Sequence, residues 1–144
     1  MNQETTAKLL YTKAIKFIEK RYPNGWGGAA VLRTSDDRYL ISVAIDTCNA
    51  GASLCIETGA ICEAHKLDVA VTHSMCVERE SEVSEFKILT PCGICQERLM
   101  YWDNVYVGVT TPNAALKMVA LHELQPLHRT NAYNKEDLEF HANK

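Results

Sequence analysis

The chain has 144 residues, 47% hydrophobic and 23% charged, a balance that fits a single globular domain and excludes disordered and collagen-like classes. A net charge of -3 and a pI near 5.9 give no basic field for gripping a phosphate backbone, so a small molecule is favoured over nucleic acid as partner. No apolar run reaches membrane-spanning length and the N-terminus carries no basic-then-apolar signal, so no membrane partner and a cytoplasmic location are expected.

Residues 4–22 place Ala7, Leu10, Ala14, Ile15 and Ile18 on one face and lysines largely elsewhere, which predicts an amphipathic helix. Pro23, Asn24 and Gly25 end it. A strand over 28–34, a turn over 35–38 and a returning strand over 39–45 predict a hairpin. The polar stretch 46–53 leads into a predicted helix over 54–66, with Cys55 and Glu57 in its first turn. Residues 69–73 form a short apolar strand, and the charged run 78–82 is expected to be a solvated loop with no function. A strand over 86–89 is halted by Thr90 and Pro91, and a helix follows over 92–102 with Pro91 suited to its first turn. A strand over 105–109, a turn over 111–113 and a helix over 114–124 complete the pattern. Alternating strands and helices predict an α/β fold, a three-layer helix-sheet-helix sandwich around one mixed sheet of about five strands.

The chemistry concentrates in two short segments, Cys55-Ile56-Glu57 and Pro91-Cys92-Gly93-Ile94-Cys95. Three soft thiolates and a carboxylate suit a catalytic zinc that keeps one position open, with Glu57 left free to move protons. In a reducing compartment the six cysteines are expected as ligands or buried thiols rather than bridges. Cys48, Cys62 and Cys76 are expected to be small buried hydrophobes, and the five histidines show no ligand spacing. A lone Cys-x-x-Cys also serves redox couples and structural zinc, so both stay open as alternatives.

Cys-x-Glu followed by Pro-Cys-x-x-Cys resembles the zinc deaminase signature with a cysteine in the histidine's place. The chain is similar to the small three-cysteine enzymes of the cytidine deaminase superfamily, which include cytidine deaminases and blasticidin S deaminase. Gly28-Ala29-Ala30-Val31-Leu32 resembles the family's first strand, and His122-Glu123-Leu124-Gln125-Pro126 its closing element. The similarity spans about residues 5–127, within a single domain over 1–144 whose segment 128–144 is a polar tail.

The resemblance implies one zinc per subunit on Cys55, Cys92 and Cys95, with Glu57 passing protons while water replaces the amino group at C4 of a cytosine ring. The implied substrate is a cytosine nucleoside or a cytosine-containing nucleoside antibiotic of the blasticidin S type, and the implied assembly a homotetramer, with a dimer as the alternative. Deamination of another nucleobase and a non-catalytic structural zinc stand beside this reading.

Candidate substrate contacts are Asp46, Trp26, Ile56 and Thr90. Trp26 lies one position from the family's base-stacking phenylalanine, so a stacking role stands beside an ordinary core role. Two departures stand out. The family's Asn-x-Glu before the first ligand is replaced by Ala44 and Asp46, and its arginine beside the metal by Thr58 and Gln96. Three thiolates on a divalent ion leave a net charge near -1, so helix N-termini and Arg98 are the groups left to offset it.

Overall fold

Helix α1 (Gln3–Arg21) begins where the Asn2 side chain accepts the Thr5 N–H at 2.8 Å, an N-cap, and ends where the Tyr22 N–H reaches the Ile18 carbonyl. The computed structural model describes residues 1–134 and Glu136. Strands β1 (Gly27–Thr34) and β2 (Tyr39–Ser42) form the expected hairpin. Helix α2 (Thr58–Leu67) leads to β3 (Val71–Arg79), then come β4 (Lys87–Ile88), helix α3 (Gly93–Leu99), β5 (Tyr106–Gly108), β6 (Met118–Ala120) and the single-turn helix α4 (Leu121–Leu124).

The six strands form one mixed sheet in the order β2-β1-β3-β5-β6, with β4 also paired to β3. One edge of β3 runs antiparallel to β1. Its other edge is divided: the first half pairs parallel with β5 and the second half antiparallel with β4. The chain leaves β4 at that division and turns into α3.

Strand alternation sorts the side chains between two layers. Ala29, Val31, Met75 and Val77 pack under Ala7, Leu10, Ala14 and Ile18 of α1. Ala30, Leu32 and Cys76 face the opposite side, against Ile56, Ala60, Ile61, Ala64 and Leu99. Both faces of β1 and β3 are therefore covered, which explains their near-continuous apolar sequence and the helix-sheet-helix layering.

Several expectations change. Residues 114–124 hold a strand and a short helix instead of one helix; the sheet, with six strands among the described residues, still fits the expected mixed sheet of about five. Leu116 and Met118 pack toward α1 while Val119 and Leu121 pack the other way, a period of two that also satisfies a helical pattern. Strand β3 continues through Glu78 and Arg79 because their backbones pair with Gly28 and Gly27, and Arg79 is buried at 4% exposure instead of lying in a solvated loop. Cys48 and Cys62 are exposed; Cys76 is the buried one of the three. The polar tail from 128 is described only through 134 and at Glu136, and His141 lies outside the described residues. Among the described residues no helix is long and apolar enough to cross a membrane.

Candidate active site

Leu54 and Ile45 exchange backbone hydrogen bonds of 3.2 and 2.8 Å in an isolated antiparallel bridge. Both backbone groups of Leu54 are thus engaged, and the helix starts four residues later than the sequence predicts. Cys55, Ile56 and Glu57 form the approach to α2, with Glu57 as its N-cap residue and its carbonyl accepting the Ile61 N–H. The Ser42 hydroxyl donates to the Ile56 carbonyl at 2.6 Å, fixing this approach against β2. Gly59 permits the closeness, since a Cβ there would lie 2.9 Å from Ser42 Cβ.

Cys92 is the N-cap residue of α3, its carbonyl accepting the Gln96 N–H at 2.8 Å. Pro91 precedes the cap instead of entering the first turn, and its carbonyl accepts the Gln96 side chain. The helix ends at Leu99, where Tyr101 and Trp102 make tighter three-residue bonds in place of the predicted continuation.

These two starts bring Cys55, Cys92 and Cys95 together, with their sulfurs all within 4.8 Å of one another and Cys55 and Cys92 at 3.2 Å. Cys95 is fully buried, Cys55 half-buried and Cys92 exposed. Hydrogen bonding to Cys92, then burial, raises the Cys55 thiol pKa. Burial opposes ionisation of Cys92, but the Cys95 N–H, the Cys55 thiol and the Ile94 N–H outweigh it and lower its pKa. Burial and then the charge of Glu57 push Cys95 far up. Three sulfurs this close repel one another as thiolates unless a cation joins them. A tetrahedral shell with Zn–S bonds near 2.3 Å sets sulfurs roughly 3.8 Å apart, so the cluster fits zinc in donor type and spacing.

Glu57 is buried at 4% exposure, and its Oε2 has no hydrogen-bond partner among the described residues. A buried carboxylate oxygen left open beside three thiols is an exception among buried polar groups and calls for a chemical explanation. Burial and then Glu57 also push the Cys76 thiol well above its ordinary range.

The other candidates are placed unevenly. Ile56 is buried between Cys55 and Glu57 in the core cluster. Trp26 is 42% exposed, and its ring lies over Gly28, where a Cβ would come within 2.8 Å of the indole and 3.1 Å of Ile56 Cδ1. Asp46 is exposed one residue beyond the Ile45 bridge, while Ala44 packs against the core. Thr90 is engaged in the fold: its N–H donates to Thr110 Oγ1 at 3.1 Å and its hydroxyl oxygen accepts the Thr110 N–H at 2.9 Å. Arg98 donates to the Thr58 hydroxyl, beside Glu57. Tyr101 and Trp102 pack with His65 of α2, and His128 pairs with Glu97 at 2.7 Å.

Sequence reasoning missed Glu78, whose Oε2 accepts the Trp26 indole N–H at 3.2 Å. Its alternation with Ser74 and Cys76 puts it on the site's side of the sheet and was the available signal.

No protein-family model and no curated protein matches the chain. Among solved structures, the cytidine deaminase from Bacillus anthracis is 48% identical, with a TM-score of 0.90 over 95% of this chain and 99% of its own. The cytidine deaminase from Mycobacterium leprae has a TM-score of 0.64 at 18% identity over 83% of this chain and 96% of its own. That from Burkholderia pseudomallei has a TM-score of 0.62 at 19% identity over 86% and 96%. The last two share the fold; the identity to the Bacillus anthracis enzyme, maintained across nearly the full length of both chains, goes further, and by it this chain belongs to the cytidine deaminase family.

Proposed function

We propose that the protein is a zinc-dependent hydrolytic deaminase of a free cytosine nucleoside, leaving the uracil form and releasing ammonia. The observation that carries this reading is the buried Glu57 carboxylate with an unpartnered oxygen beside three convergent thiols. The 48% identity to the Bacillus anthracis cytidine deaminase supports it.

Cys55, Cys92 and Cys95 would hold one zinc per subunit. Among the described residues the convergent ligand group is the three sulfurs alone, without the Glu57 carboxylate, which favours a catalytic over a closed structural site. When bound there, zinc supplies a Lewis acid that brings the pKa of a water towards neutrality. Glu57 carries the two protons of the attacking water in turn, the first to ring N3 and the second to the amine, which leaves as ammonia. Ile56 and the Trp26 indole wall the base, and Asp46 is the candidate for a sugar hydroxyl. Thr90, already bonded to Thr110, holds the Cys92 approach.

Incubation with cytidine, deoxycytidine, blasticidin S, guanine and adenosine, with ammonia as readout, tests the reading. Release from a cytosine substrate and none from guanine or adenosine is expected. Release only from a purine would replace cytosine with another nucleobase, and tight zinc binding with no turnover on any of them would leave the structural role.

The reading includes a homotetramer. Ile41, Ile45 and Leu54 are 38%, 50% and 38% exposed along the outer hairpin strand and its continuation, close to Cys55, a group of apolar side chains suited to burial by another copy. Sedimentation at micromolar concentration checks this, and an active monomer would remove it.

A further inference from the structure

The end of β3 and the turn after it grip the short loop between α1 and β1 at three points. The Trp26 indole N–H donates to Glu78 Oε2 at 3.2 Å, and the Gly25 N–H to Glu82 Oε2 at 2.8 Å. The second contact holds the Glu82 carboxyl below its usual range. Arg79, buried at 4% exposure, donates to the Tyr22 carbonyl and lies over the Phe86 ring. Tyr22 in turn meets Trp26 edge-on, their centroids 5.6 Å apart.

What this loop carries is the indole. Its ring lies over Gly28, where an added Cβ would also come within 3.1 Å of Ile56, the neighbour of Glu57, yet 42% of Trp26 remains accessible. The loop turns through Gly25 at φ +76°, a conformation that glycine adopts without steric cost. With one side of the ring open, the hydrogen bond to Glu78 is the contact that sets its rotation.

We propose that Glu78, backed by Arg79 and Glu82, is a positioning residue that locks the Trp26 indole as the wall on which the planar base of the substrate stacks. The identity of what stacks there rests on the deaminase reading; the clamp itself does not.

The test uses the zinc-loaded protein in a Trp102→Phe background, where Trp26 is the remaining tryptophan. Time-resolved fluorescence anisotropy then reads the indole's local freedom without any turnover. Glu78→Leu is expected to add a fast depolarising component and to raise KM for cytidine roughly three- to tenfold, the scale of one lost hydrogen bond, with a smaller change in kcat. Glu78→Gln, whose amide oxygen still accepts the indole N–H, is expected to restore both. Glu82→Ala, an exposed position, is expected to move both in the same direction by less. Unchanged anisotropy in Glu78→Leu overturns the clamp, and a freed indole with unchanged KM overturns its role in substrate binding. A protein inactive in every form fails the deaminase reading and with it the substrate wall, while the anisotropy comparison still decides the clamp.

Discussion

Arg98 Nη1 donates to the Thr58 hydroxyl at 2.8 Å, joining the last turn of α3 to the first residue of α2. The two helices present the two halves of the sulfur cluster, so this bond spans the site from behind. It also brings a guanidinium to the position beside Glu57 where the family resemblance leads one to expect an arginine in sequence. Thr58→Val keeps the shape and removes the acceptor. Groups that support metal ligands typically change affinity by about 10- to 100-fold, so zinc retention in a chelator competition is expected to weaken by at least about tenfold. The loss of roughly 1 kcal/mol should also lower Tm by about 2–4 °C in a chain of this size. Unchanged zinc affinity would leave the bond as a tie between the two helices with no part in holding the metal.

Glu57→Gln is expected to keep zinc and the fold while abolishing turnover, because the amide matches the shape but cannot carry protons. Cys95→Ala is expected to lose zinc and much stability together, since metal binding is coupled to folding. Metal content by mass spectrometry beside a melting curve separates the two. Substantial turnover in the first variant, or full zinc occupancy in the second, contradicts the assigned roles.

Residues that act through local spacing were legible in the sequence, and those that act across the fold were not. Ala7, Leu10, Ala14 and Ile18 repeat on a helical period and do form the buried face of α1. Cys55, Glu57, Cys92 and Cys95 carry their grouping in their spacing, and the sulfurs converge. The start of α2 was not legible, because Leu54 is held by Ile45, a partner no local window identifies. Met118 and Val119 fit either period, and only pairing with Gly108 and Val107 settles them as strand. Glu78 and Arg79 look like solvent-facing charges until the sheet brings Trp26 and Tyr22 to them.

His73 gives the fold a pH dependence away from the sulfur cluster. Its Nε2 meets Gln3 Oε1 at 2.8 Å, its Nδ1 meets the Thr72 hydroxyl at 2.9 Å, and its ring stacks on Tyr106. Burial, then the charge of Arg33, holds its pKa below the ordinary value. The folded chain therefore binds this proton less readily than the unfolded chain. Stability from this group is complete above about pH 6.5 and declines as pH falls through that value towards the lower folded-state pKa. Urea midpoints at pH 7.5 and 5.5 should drop more in the wild type than in His73→Gln. Parallel drops in the two proteins would mean that His73 takes its proton equally well in both states.

Ala44 packs inward and leaves Asp46 as the polar side chain of the pair that departs from the family's pattern, so Asp46 is the proposed sugar contact to test. Asp46 follows the Ile45–Leu54 bridge, and Leu54 is followed by Cys55, so the carboxylate emerges on the same strand pair that delivers the first ligand. If it accepts a sugar hydroxyl, Asp46→Ala removes one hydrogen bond to a charged group, about 1.5 kcal/mol. That loss corresponds to roughly a tenfold fall in kcat/KM for a nucleoside. Free cytosine has no sugar, so its slower deamination should be nearly unaffected. Equal losses on nucleoside and free base would refute a sugar contact. No loss on either would make Asp46 an ordinary exposed loop residue, and a cytosine substrate with a modified sugar, such as blasticidin S, would then be expected to outperform cytidine in the ammonia assay.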